Sequence, residues 1–172
     1  MFDNPEIPLE DLPTAEGLQW QPLHDRYVRQ LQVMHSFYML VLIVALGIFG
    51  MTPLAEQLPT GWIWALLTII AVISLAWPGV DVPRRGWVLR EKDIVYRTGV
   101  LWQTVTAVPF NRIQHAETSS DPLGRRFGTA ALELFTAGGS GGDLRIRGLP
   151  AGTAERLREK VMAKIGAAIE ED

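Results

Sequence analysis

The spacing of apolar positions changes twice along this chain. From Ser36 to Ala55 ("SFYMLVLIVALGIFGMTPLA") and from Gly61 to Val80 ("GWIWALLTIIAVISLAWPGV") the sequence runs twenty residues at a time without a formal charge. At about 1.5 Å of rise per residue, each run spans roughly 30 Å as a helix, the thickness of a bilayer's hydrocarbon core. The connection between them, "EQLPT", is short and holds one charge, Glu56. The pattern predicts two membrane spans, 36–55 and 61–80, folded as a hairpin. Trp62, Trp64 and Trp77 near the ends of the second run suit the headgroup region. A helical hairpin buried in a soluble core would carry a charged face, and neither run has one. The segment before the first run opens with acids where a cleaved signal peptide needs a basic region, so no such peptide is expected.

After Pro83 the period shortens towards two. "GWVLRE" alternates, "KD" is a turn, and "IVYRTGVLWQTVTAV" is rich in β-branched and aromatic residues, with Gly99 as its turn or bulge. "RIQHAETS", "TAALELFTA" and "DLRIRGL" follow as further short strands. Strands without intervening helices imply an antiparallel meander. The chain then closes with a helix: Thr153 can cap it, Glu155 suits its first turn, and Leu157, Val161, Ile165 and Ile169 form one apolar stripe. The expected fold is therefore a two-helix transmembrane hairpin plus an α+β domain, an antiparallel half-open β-barrel capped by the C-terminal helix. The rival placement lays that helix on the membrane surface.

Charge divides the chain further. Residues 1–35 hold two Lys/Arg against six acids, whereas residues 82–169 hold fourteen against eight. Residues 1–23, with four prolines, five acids and no base, read as a disordered acidic tail in which Trp20 and Leu23 offer surface contacts. "HDRYVRQLQVMH" reads as a lead-in helix, making 24–80 one membrane unit and 84–168 a soluble domain. Arg26 and Arg29 precede the first span, Arg84, Arg85, Arg90 and Lys92 follow the second, and the hairpin tip has neither Lys nor Arg. Both termini are thus expected in the cytoplasm. No Asp, Glu, Lys, Arg or His falls within the spans as drawn, so they carry no proton relay or ion pathway.

Candidate chemistry is sparse. The chain has no cysteine, which excludes disulfides and thiolate sites, and its three histidines are scattered. Between the strands only Glu117, Asp121, Glu133 and His115 could act as acid or base, and no pair among them declares itself. No catalytic, cofactor or metal residue is expected. "FTAGGSGGDLRI", residues 135–146, resembles a phosphate loop, but it lacks a nearby lysine and is followed by a strand. A hairpin turn between two strands explains its glycines.

Taken together, Gly99-Val100-Leu101-Trp102, Pro109, Arg112-Ile113-Gln114-His115, Pro122-Leu123, Arg125-Arg126-Phe127-Gly128 and Thr136-Ala137-Gly138-Gly139-Ser140-Gly141 resemble the bacterial pleckstrin-homology-like (PH-like, type 2) domain of the YdbS-like membrane proteins. The resemblance covers about residues 20–165. It implies a PH-like barrel on the cytoplasmic face of the bacterial inner membrane, a larger YdbT-like membrane protein as neighbour, and no established catalytic residue. The expected role is a membrane-anchored binding and assembly module. Its partners would be membrane lipids and either the YdbT-like protein or further copies of the chain, with no nucleic acid. The "DPLGRRFG" loop supplies the candidate contacts: Arg125 and Arg126, beside Leu123 and Phe127. Two alternatives stand: these arginines merely solvate the loop or pair with Asp121, and the chain is an accessory subunit of a membrane enzyme or transporter. A phosphoinositide site is least favoured, since Glu91-Lys92-Asp93 lacks a basic cluster.

Overall fold

The computed structural model describes residues 17–53, 60–136 and 144–170, with side chains as far as Ile165 in the last helix. In chain order come α1 (Tyr27–Gly50), α2 (Thr60–Asp81), a 3-10 turn (Val82–Arg84), β1 (Gly86–Leu89), β2 (Asp93–Thr98) and β3 (Thr104–Pro109). These are followed by β4 (Ile113–Ser119), α3 (Pro122–Phe127), β5 (Thr129–Thr136), β6 (Leu144–Pro150) and α4 (Ala151–Glu170).

α1 and α2 pack against each other as a hairpin. Their most apolar 18-residue stretches are 0% and 6% buried by the rest of the chain, so nearly all of that surface faces outward. A soluble core hairpin would be covered. Helix α1 stops at Gly50, short of the expected end at Ala55. The helix is continuous from Tyr27, so His35 lies in the same element as the expected span, one residue before its start.

The way its polar atoms are used follows from Pro78, which lies inside α2. Proline has no N–H, so the Ser74 carbonyl four residues earlier lacks its helical donor. His35 Nδ1 lies 2.9 Å from that carbonyl oxygen, and because a carbonyl only accepts, this nitrogen carries the proton. Gln32 donates to the neighbouring Leu75 carbonyl at 3.2 Å. Both side chains are thus spent on backbone groups at the proline break.

The strands form two three-stranded antiparallel sheets, ordered β1-β2-β3 and β4-β5-β6. Ile94, Leu132, Leu134, Ile146, Leu149 and Val161 are fully buried between the sheets and α4. Ala154, Leu157 and Val161 point into this core and Ile165 packs at its margin. Burial of a side chain such as Leu157 is worth about 1.5–3 kcal/mol. That settles the placement of α4 in favour of the core over the membrane surface. The helix begins three residues earlier than a Thr153 cap implies: β6 runs directly into it, and the Ala151 N–H is satisfied by the Gly128 carbonyl at 3.0 Å. Thr153 lies in the first turn and is not the cap.

The segment before α1 also departs from expectation. Gln21 forms a two-way backbone bridge with Trp87, at 2.8 and 3.1 Å, which extends the first sheet past β1. The Arg97 guanidinium stacks 4.5 Å from the Trp20 ring centroid. Leu23 and Tyr27 are buried in the domain core. The disordered tail expected over 1–23 therefore fails from Trp20 onward, and the domain takes in residues well before 84. Residues 137–143 of the glycine run lie outside the described residues. Their flanks pair as antiparallel neighbours, with Leu134 opposite Leu144, and the segment leads into a strand.

Candidate functional site

The "DPLGRRFG" segment is not a plain loop. Asp121 caps a short helix, α3, by accepting the Gly124 N–H, Pro122 occupies the first helical position, and Gly128 ends the helix with φ +73°. Too short to show a helical period, α3 escaped the hydrophobic pattern, although its start and stop residues were all present. Arg125 and Arg126 are exposed, while Leu123 and Phe127 are half-buried. Arg125 donates to the Ser120 carbonyl at 3.1 Å. Neither arginine is ion-paired among the described residues, and the alternative pairing with Asp121 is not formed. Asp121 is occupied by its cap and by Gln30 Nε2 at 3.4 Å.

Gln30 ties this segment to the hairpin. Its amide oxygen accepts from the Thr129 hydroxyl while its nitrogen faces Asp121, so a single buried α1 side chain holds both ends of α3. One turn earlier, the Tyr27 ring covers Gly148, where φ is +79° and an added Cβ would fall 2.3 Å from a ring carbon. The His24 N–H donates to the Gly148 carbonyl at 2.7 Å. On the other side, buried Asp81 pairs with Arg85 across the exit from α2. Burial pushes the Arg85 guanidinium down, but its hydrogen bond with Asp81, together with charge contacts to Tyr96 and Asp81, outweighs that and holds its pKa above the ordinary value. The domain is thus mounted on both helices at their shared end.

Between α1 and the second sheet lies a cleft of about 440 Å³, lined by Leu31 and Met34 on the helix, Ser120 and Asp121 at α3, and Arg145 and Arg147 on β6. Arg145 is neutralised by Glu133 at 3.1 Å, and Glu133 also accepts from Ser119. Arg147 is exposed and has no carboxylate partner among the described residues. The alternation in "DLRIRGL" puts both β6 arginines on one face, but it carries no signal that α1 lies beside them.

The remaining candidate acids and bases stand apart from this cleft or are already engaged. His115 and Glu117 pair at 3.0 Å, with both side chains more than half exposed, and the His115 ring leans on Phe135. Among the described residues, no three His, Cys, Asp or Glu side chains are placed to hold a metal.

Two apolar helices with two antiparallel sheets and a closing helix define a membrane-anchored domain protein. The bacterial PH domain family matches residues 33–165, and the chain belongs to it. It is also similar to the UPF0699 transmembrane protein YdbS of Bacillus subtilis (strain 168), at 28% identity over 104 residues. That match covers 59% of this chain and 60% of the relative, about three fifths of each. No solved structure matches significantly.

Proposed function

We propose that the chain is a non-catalytic binding and assembly module at the cytoplasmic leaflet of the bacterial inner membrane. In this reading the two sheets act as a half-open PH-like barrel, both termini are cytoplasmic, and a larger YdbT-like membrane protein is the partner. The observation that supports it is the mount: Gln30, in the first turn of α1, holds both ends of α3, and Arg125 and Arg126 stand exposed without counter-charges among the described residues. Leu123 and Phe127 flank them. Near an anionic leaflet each such arginine is worth about 1 kcal/mol, enough to orient a contact that the hairpin already localises. The same charges suit an acidic partner surface.

The test is Arg125→Glu with Arg126→Glu in the full-length protein. The substitution is expected to weaken co-purification of the partner from native membranes, or to reduce the share of anionic lipid that remains with the purified protein. If neither changes, these arginines are not the contact. The accessory-subunit reading predicts a stable complex with an enzyme or transporter in mild detergent, whereas a lipid-only binder elutes alone.

A further inference from the structure

We propose that the β2–β3 turn, Gly99–Gln103, is a second membrane contact, which dips Leu101 and Trp102 into the headgroup and upper acyl region of the same leaflet. Both side chains stand out from the domain, at 75% and 84% exposure, with Val105 also exposed beside them. Leaving such a cluster in water costs apolar burial that a domain of this kind otherwise achieves.

Topology says what covers it. The chain leaves α2 at Asp81 and enters β1 at Gly86, only five positions later. β2 returns antiparallel, with Arg97 opposite Gly86, so Thr98 and the turn beyond it project back past the start of β1. At about 3.3 Å per strand residue, two or three residues bring the tip back by roughly 7–10 Å, to the level of the turn at Val82–Arg84. That level is the cytoplasmic end of α2, where a bilayer surface must lie if α2 crosses it. The position is fixed by the Asp81–Arg85 pair and the Trp20–Arg97 stack, which brace the base of the hairpin on both sides.

The chemistry fits lipid. From Ile94 to Ala116 there is no Asp or Glu, so inserting the tip buries no carboxylate. Tryptophan favours the interface, and exposed Arg84 lies at the same end to meet phosphates. The turn itself is tight. Gly99 adopts φ +104°, and a Cβ there would fall 1.9 Å from the Trp102 carbonyl oxygen, so the tight turn requires glycine and holds the apolar pair outward.

This inference rests on α1 and α2 crossing the bilayer, and its test separates the two claims. The chain contains no cysteine, so Leu101→Cys and, at the opposite end of the sheet, Lys92→Cys each give one labelling site. Each full-length variant is labelled with a polarity-sensitive fluorophore and reconstituted into vesicles of phosphatidylglycerol and phosphatidylethanolamine. Flotation with the vesicles first checks the hairpin. The probe at 101 is then expected to be blue-shifted and quenched several-fold more by brominated lipid than the probe at 92. Equal quenching by an aqueous quencher at both sites would overturn the proposal. So would a blue shift at 101 that brominated lipid fails to quench, because it would place a protein surface, such as a second copy, against the tip.

Discussion

A single hydrogen atom at position 148 decides how the domain sits on its helix. Gly148 adopts φ +79°, and Tyr27 occupies the space where a side chain would be. For an L-residue the left-handed conformation alone costs about 1–2 kcal/mol, and the overlap with a buried ring adds to it. Gly148→Ala is therefore expected to lower the thermal midpoint of the detergent-solubilised protein by several degrees, whereas Gly152→Ala, in open space in the first turn of α4, leaves it unchanged or raises it slightly. Nothing in "DLRIRGL" announced this, because the reason for the glycine lies more than a hundred residues away in Tyr27. A second residue-scale expectation concerns pH. Glu155 accepts from the Thr118 hydroxyl and from Arg158, and these bonds hold its carboxyl below the usual value. A lowered folded-state pKa means stability that is present above the ordinary carboxylate range and lost as pH falls through the folded value. Thermal melts of the wild type and Glu155→Gln should thus differ at neutral pH and converge in acid. A difference that persists unchanged below that range would assign the effect to packing.

At the scale of elements, period and composition carried most of the information. Uninterrupted apolar runs became α1 and α2, alternating runs became six strands, and the stripe at Leu157, Val161 and Ile165 became the buried face of α4. What escaped was short or non-local. α3 is under two turns long, and the Gln21–Trp87 bridge joins segments with no shared pattern. The candidate arginines were legible as a charged pair beside apolar residues, but their position against α1 depended on Gln30, which sequence spacing cannot link to Thr129. The hairpin yields a sharper expectation. If His35 supplies the donor that Pro78 denies to Ser74, His35→Ala leaves a carbonyl unpaired in the membrane, at a cost of about 1 kcal/mol. In a Pro78→Ala background the helix regains its own N–H, so the same substitution should cost much less. A double-mutant cycle on unfolding in mixed micelles measures this coupling, and strictly additive effects would show that the histidine contact is incidental.

For the whole molecule, the consequence is that membrane hairpin and soluble domain are one folding unit. Leu23 and Tyr27 are part of the domain's core, Gln21 covers an edge of β1, and Gln30 clamps α3, yet all four precede the first crossing. A fragment of residues 82–170 would keep all six strands and α4 while losing these contacts. Burial of Leu23 and of Tyr27 is worth about 1.5–3 kcal/mol each, a large share of the 5–15 kcal/mol that typically separates folded from unfolded domains. Such a fragment is expected to be loosely packed, to bind hydrophobic dyes and to unfold without a sharp transition. Joining residues 18–33 to its N-terminus through a flexible linker should restore cooperative unfolding, and the gain should vanish when the joined segment carries Leu23→Ala and Tyr27→Ala. Were the shorter fragment to melt as sharply and as high as the joined one, the domain would be an independent body on a tether. The proposed placement of Arg125, Arg126 and the Leu101–Trp102 tip at the bilayer would then have no structural basis. A rigid mount makes the opposite demand: any ligand or partner that shifts the domain must also shift the adjoining ends of α1 and α2, through Tyr27, Gln30 and the Asp81–Arg85 pair.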